Sequence, residues 1–285
     1  MADKKRLNWS TLRHIATSPK LLKWRVEHPM ADTEPLRMGR SIHCAILEPE
    51  AFAGRWVTAT TCQATTKAGK PCSSDGSLYS GGKWYCRISG HAPEDAAPNP
   101  GEGIEVIDSA GLELTQLCAA SVRAHGPASK LLQGGKAEQE LEWTDPESGI
   151  ECRGRVDYLR PNDLVDLKST RRETVREFTA DAARSMYHAQ VWWYTAGAIA
   201  AGRLPKDAGL PYIVTVSTAE PYDVVAYRMS KVTFEAGGIL VRDLIHKYQN
   251  CVAADLWPGV APDLQELDLP AWAGGMQGSE SEEIW

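Results

Sequence analysis

No hydrophobic run in this chain approaches the length of a membrane span: the longest, around Val191 to Ala200, is far too short. Nor does an apolar stretch follow Met1-Ala2-Asp3-Lys4-Lys5, so no secretory leader is expected and the chain reads as cytoplasmic. Disulfide scaffolding is equally unsupported. Seven cysteines are an odd number spread thinly over 285 residues, which fits a reducing compartment where thiols are core residues or metal ligands. Lys and Arg are missing altogether from Pro262 to Trp285, where six acids (Asp263, Glu266, Asp268, Glu280, Glu282, Glu283) account for the whole formal net charge of −6. That stretch reads as an acidic tail, 251–285, and leaves the remainder of the chain neutral. Aliphatic residues are scarce between Thr58 and about Pro100, where Gly, Ser, Thr, Lys and Pro dominate without a sustained helical or strand period, as in an insertion.

The rest has enough apolar residues, 43% of the chain, to bury a sizeable core. Asn8 or Ser10 is placed to cap a first helix running to about Arg25. A second spans about Leu36 to Leu47, with Met38, Ile42 and Ala45 on one stripe and Gly39 and His43 sharing a face, and a third runs from Ser109 to about Ala124. Extended stretches follow at Ala137–Trp143, Ile150–Leu159 and Leu164–Ser169. A helix over about Thr179 to Ala201, strands near Tyr212–Ser217 and Asp223–Arg228, and a helix from about Val232 to Gln249 complete a mixed α/β sheet flanked by helices. The expected division is a discontinuous core, 1–58 and 101–250, interrupted by the insertion 59–100.

The chemistry is concentrated from Gly154 to Lys168, which reads as a hairpin. A turn centred between Pro161 and Asn162 pairs residues whose numbers sum to 323 and sets Asp157 opposite Asp166. Directly opposed side chains have Cβ atoms about 5 Å apart, so two carboxylates there repel unless a proton or cation lies between them. Strand alternation puts Lys168 on the face of Asp166 and turns Leu167 into the core. Two hard oxygen ligands beside one ammonium suit Mg²⁺ (or Mn²⁺), which keeps waters and takes further ligands from phosphates. Arg153, Arg155, Lys168, Arg171, Arg172 and Arg176 crowd the same region as a local positive surface. A bare Asp-x-Lys is more often a solvated hairpin, and the opposed Asp157 is what argues otherwise.

These residues resemble the PD-(D/E)xK nuclease core, and more narrowly the phage and prophage exonuclease VIII (RecE-like) group. The matching segments are Ser10 with Ser18-Pro19, Met38-Gly39-Arg40-Ser41-Ile42-His43 with Leu47-Glu48-Pro49, Glu138 before Trp143-Thr144-Asp145-Pro146, Arg155-Val156-Asp157, Asp166-Leu167-Lys168-Ser169-Thr170, and Tyr187-His188-x-Gln190-x-x-x-Tyr194. Val156 stands where the family name has Pro.

The resemblance implies a lambda-exonuclease-like core in which Asp157, Asp166, His43 and the Leu167 backbone bind the metal and Lys168 acts on the water. Glu138 takes the acidic position ahead of the core, with Glu140 and Glu142 open as alternatives. Gln190 and Tyr194 face the site and the DNA strand, and Arg40, Arg153, Arg155, Arg171 and Arg172 are the expected DNA contacts. The implied activity is digestion of one strand of linear double-stranded DNA from an end, in phage-type recombination or repair within a bacterial host cell, with a single-strand annealing protein as partner and a homo-oligomer as the working form. A nonhydrolytic DNA-binding protein on the same fold, or a nuclease of single-stranded or CRISPR-related DNA, is the alternative.

Within the insertion, Cys62, Cys72, Cys86 and His91 supply the four ligands that a closed zinc site needs. An iron–sulfur cluster would require a fourth cysteine from Cys44, Cys118, Cys152 or Cys251, which read as small core residues, and a disordered loop with incidental cysteines is the alternative to zinc.

Overall fold

The computed structural model describes residues 6–97, 100–172, 174–261 and 263–268. In chain order the elements are β1 (Leu7–Asn8), α1 (Trp9–Leu12) with a 3₁₀ turn at Arg13–Ala16, α2 (Pro19–Glu27), α3 (Glu34–Leu47), α4 (Pro49–Arg55), β2 (Trp56–Thr58), β3 (Leu78–Ser80), β4 (Lys83–Tyr85), β5 (Glu105–Ile107), α5 (Ser109–Ala124), α6 (Gly126–Leu131), β6 (Lys136–Thr144), β7 (Glu151–Leu159), β8 (Leu164–Thr170), α7 (Val175–Arg184), α8 (Tyr187–Ala200), β9 (Tyr212–Ser217), β10 (Val224–Arg228) and α9 (Lys231–Ala254). None of the described helices is long and apolar enough to cross a membrane.

The helix expected from Asn8 to Arg25 is two helices. Asn8 does cap the first, accepting from the Thr11 N–H at 2.8 Å. The break falls at Ser18-Pro19: proline cannot donate a helical hydrogen bond but suits a first turn, and the Ser18 hydroxyl accepts the Leu21 N–H at 3.1 Å to start α2. Likewise the helix expected over Thr179–Ala201 is broken at Met186, whose φ of 56° lies in the left-handed region. Pro49 opens α4 as well as closing α3. The last helix runs on to Ala254, and Trp257 packs against Tyr248, so the expected tail begins later than 251; residues 269–285 lie outside the described set.

The main sheet runs β1-β7-β8-β9-β10, with β6 also paired to β7. Along β6 and β7 the antiparallel register extends from Lys136↔Leu159 to Thr144↔Glu151. On its other edge β7 meets β1 through Cys152 and Arg153, and β8 through Tyr158 and Leu159. From Gly154 to Asp157 that edge has no strand neighbour. β8 and β9 are parallel, connected by α7 and α8. One apolar layer gathers Leu141, Val156, Leu164 and Ile213 under α1, α2, α8 and α9; the other gathers Val165, Leu167, Val214 and Val216 under α3 and α5. The strands β2 and β5, parallel in a separate pair, bracket the residues that hold the small hairpin β3–β4.

Asp145 locks the β6–β7 turn to α9. Its buried carboxylate accepts from the Ser148 N–H (2.9 Å) and hydroxyl (2.6 Å) and from Arg242 Nη1 (2.8 Å). Burial alone would raise its pKa, but the Ser148 and Arg242 hydrogen bonds outweigh it and hold the carboxyl below the ordinary 3.8. Asp145→Ala is expected to cost about 2 kcal/mol near neutral pH, since it removes the buried partner of Arg242 and leaves that guanidinium to the exposed Glu147 at 3.1 Å. A depressed folded-state pKa stabilises above the unfolded value and loses that contribution as pH falls through the folded one. Urea denaturation should therefore show a wild-type advantage that is constant above about pH 5 and closes below pH 3.8.

Candidate active site

The unpaired edge of β7 is where the chemistry collects. The observed pairs Tyr158↔Val165 and Leu159↔Leu164 hold the register expected from sequence. The ladder stops one step short of Asp157 and Asp166, so the two are next in register but not strand-paired. In place of a backbone bond, the Leu167 N–H donates to Asp157 Oδ2 at 2.8 Å. That side chain occupies the gap between diverging strands and is fixed by it. As alternation requires, Leu167 is fully buried in the core and Asp166 and Lys168 share the opposite face, their charged atoms 2.7 Å apart.

Asp166 is 1% exposed, and its carboxylate is held by the Lys168 ammonium, 2.7 Å from Oδ2. Burial, and Asp157 after the opposing pull of Lys168, push its pKa up to about 6. Burial also raises Asp157. Burial works against the Lys168 ammonium, yet Asp166 and Asp157 more than compensate and its pKa lies above the usual lysine value. The ammonium also sits 4.9 Å from the centre of the Tyr187 ring.

His43 enters from α3, a helix held to α5 by a buried 2.8 Å hydrogen bond between the Ser41 and Thr115 hydroxyls. Its Nδ1 is 3.9 Å from Asp157 Oδ2. Burial first, then the nearby Lys168, lower its pKa to about 4, which keeps the imidazole neutral and able to ligate.

Glu138 completes the group from β6. It lies across from Asp157 at the one step where β6 and β7 skip a pair, with φ at 48°. A non-glycine residue in that region is strained by roughly 1–2 kcal/mol, a cost concentrated at functional positions. Burial pushes its pKa up to about 7 although Arg155 pairs with it at 2.9 Å. Ligand atoms of His43, Glu138 and Asp157 all lie within 4.8 Å of one another, and of the three acids left open on this strand only Glu138 belongs to that set. Asp166 is not in it.

A cavity of about 710 Å³ opens onto these groups, lined by His43, Glu138, Asp157, Lys168 and Gln190 among others. A second, of about 550 Å³, shares Glu140, Arg155 and Asp157 with it and continues past Gly154 and Tyr194 to Asn8 and Ser10. Gln190 Nε2 donates to the Tyr194 hydroxyl at 3.3 Å, one helical turn along α8, so the pair spans both cavities. Gly154 makes close room there: a Cβ would lie 3.0 Å from the Tyr194 ring, which would have to shift by a few tenths of an ångström.

The arginines divide. Arg153 and Arg171 are exposed. Arg40 is engaged by both Glu105 oxygens at 3.0 Å and by Asp32 at 2.8 Å, Arg155 by Glu138, and Arg172 by Asp181 at 3.3 Å. Arg40 therefore ties α3 to β5 in this structure. Sequence reasoning gave no role to Glu48 and Arg55, which are ion-paired on the wall of the larger cavity; Glu48 was visible in the motif Leu47-Glu48-Pro49. Away from the cavity, Cys62, Cys72, Cys86 and His91 also converge, with all ligand atoms within 4.8 Å.

Comparison with known proteins gives a family and a fold. The family model described as "PDDEXK-like domain of unknown function (DUF3799)" matches residues 9–268. The chain is similar to the crystal structure of a "putative exonuclease" from Eubacterium rectale, with TM-score 0.51, 10% identity, and coverage of 94% of this chain and 92% of that one. At that identity the likeness is one of fold. The SSO0001 structure, at 12% identity and TM-score 0.26 over 51% of this chain and 68% of that one, is too distant to carry any argument. No match was found among the curated proteins.

Proposed function

The chain belongs to the PDDEXK-like domain family, and from that premise we propose that it is a divalent-metal-dependent deoxyribonuclease, an exonuclease that degrades one strand of linear double-stranded DNA from an end. The observation that carries this reading is the convergence of His43, Glu138 and Asp157, whose ligand atoms lie within 4.8 Å of one another, beside the buried Asp166–Lys168 pair. Carboxylates kept that close are unfavourable without a cation, and hard oxygens with a neutral imidazole are a donor set suited to Mg²⁺ or Mn²⁺. The residues present fit such an ion: His43, Glu138 and Asp157 would hold it, with Asp166 and the Leu167 backbone adjoining.

When bound, the ion supplies Lewis-acid polarisation of a phosphodiester oxygen and a water of lowered pKa. Lys168 holds a positive charge where negative charge develops on the phosphate and orients the attacking water. Gln190 and Tyr194 position the strand between the two cavities. Arg155, paired with Glu138 in this structure, turns to phosphate once Glu138 has another cationic partner. Arg153 and Arg171 add backbone contacts, which carry no sequence preference. The likeness in fold to a protein named as an exonuclease supports the end-directed reading. On this reading the single strand left behind passes to an annealing protein, the working form is a homo-oligomer, and residues 59–100 are a separate insertion in the core.

End-labelled linear duplex and covalently closed circular DNA, each with Mg²⁺ and with EDTA, form the test. Loss of the linear substrate alone, from its ends and only with metal, is expected. Cutting of the closed circle would replace the exonuclease reading with an endonuclease one. Binding without cleavage of either would mark a nonhydrolytic DNA-binding protein.

A further inference from the structure

The polypeptide between β2 and β5 has almost nothing apolar to fold around. Among its described residues, the buried hydrophobic cluster consists of Cys62, Cys72 and Cys86, with Ala64 and Tyr85 packed against it. Trp84 is buried nearby, edge-on to Tyr79 at 5.2 Å, but belongs to the β3–β4 hairpin. A segment of this size with so small a core is usually ordered by a staple. All three thiols are free, and an odd number cannot be consumed as disulfides.

The interatomic distances identify the staple. A tetrahedral ion with bonds of about 2.3 Å to sulfur and about 2.0 Å to nitrogen places its ligands roughly 3.8 Å apart sulfur to sulfur and roughly 3.5 Å apart sulfur to nitrogen. Here Cys72 Sγ is 3.9 Å from Cys86 Sγ, and His91 Nδ1 is 3.7 Å from Cys62 Sγ and 3.1 Å from Cys86 Sγ. Four neutral thiol and imidazole groups would gain little from this convergence.

We propose that Cys62, Cys72, Cys86 and His91 bind one structural Zn²⁺ that folds the segment between β2 and β5 and fixes an outer wall of the larger cavity. Three thiolates and one imidazole fill all four positions of the ion, so it has no open site and takes no part in hydrolysis. The connection to the cavity runs through the neck: Trp56 of β2 and Glu105 of β5 line it, and Glu105 holds Arg40 of α3. A loosened segment would release Glu105 and leave Arg40 to Asp32 alone. The four other cysteines are buried elsewhere in the core, so a four-thiolate iron–sulfur cluster cannot be assembled here without rebuilding it.

The test is metal analysis of the full-length chain after dialysis into metal-free buffer, on wild type and on Asp157→Asn, followed by exchange into Co²⁺. About one zinc per chain is expected in both proteins, with tetrahedral thiolate–cobalt absorption after exchange. Cys72→Ser with Cys86→Ser should lose the metal and the absorption. In those variants cleavage by a nonspecific protease should be at least ten-fold faster between residues 59 and 104, while the sheet core survives. Retention of zinc in the double variant, absence of zinc and cobalt from wild type, or iron in its place would each overturn the proposal. Because zinc content is read on Asp157→Asn as well, the result stands or falls independently of nuclease activity.

Discussion

Asp157→Asn is expected to lower DNA cleavage by about 10³-fold or more while leaving the metal-free protein as stable as wild type or slightly more so. The rate loss follows from removing one anionic ligand of the ion that stabilises the transition state, where a single preorganised group is worth ~10²–10³. The stability expectation follows from the same crowding. Asp157 is partly buried beside Asp166 and Glu138, and burial raises its pKa. Asparagine keeps the oxygen that accepts the Leu167 N–H and leaves the Asp166–Lys168 pair intact. Sites built for a reaction commonly sacrifice stability in this way. Lys168→Met should behave differently, losing activity and also about 3 kcal/mol, because it leaves the Asp166 carboxylate buried without a cation. Single-turnover cleavage combined with thermal unfolding of the metal-free proteins separates the two cases. A destabilised Asp157→Asn would mean that the carboxylate is a structural group.

Gly237→Ala should reverse the usual sign of a glycine substitution. In an exposed helix the change gains about 1 kcal/mol, but a Cβ on Gly237 would lie 2.4 Å from the His188 carbonyl oxygen on α8. A backbone oxygen cannot rotate away, so the two helices must separate at a cost of about 2–3 kcal/mol, or roughly 4–10 °C in Tm. Gly54 of α4 is the internal control: a Cβ there meets nothing within 4 Å, and Gly54→Ala should be neutral or stabilising. The separation would also displace Gln190 and Tyr194, which ride on α8, so cleavage should fall further than the stability loss accounts for. Thermal scans of the two variants side by side decide the matter; equal effects would show that the α8–α9 crossing is not tight at Gly237.

What could be seen in the sequence was local. The register of the β7–β8 hairpin followed from one turn, and the bounds of α5 matched the expected Ser109 to Ala124, with Asp108 found to cap its start. The four ligands in the insertion were visible as a count, although no spacing rule predicted that they would converge. Asp157, Asp166 and Lys168 were legible because they lie within one hairpin. His43 and Glu138 reached the candidate list by resemblance, since nothing local places a helix of the first fifty residues against that hairpin. The positive φ of Glu138 carried no signal, because glutamate has no preference for the left-handed region. Nor did the partners of Arg40: Glu105 lies far along the chain, so a residue that reads as a free cation is held between two carboxylates. The breaks at Pro19 and Met186 show the other limit. The first was available from proline chemistry, while the second is set by how α8 packs against the sheet.

A divalent cation beside the unpaired edge of β7 is the centre of the proposed chemistry, and locating it is the most direct measurement. Crystals grown or soaked with Mn²⁺ should give an anomalous-scattering peak among Asp157, Asp166, Glu138 and His43, and that peak should vanish in Asp157→Asn. Manganese bound elsewhere, or a peak that survives the substitution, would contradict the proposed active site.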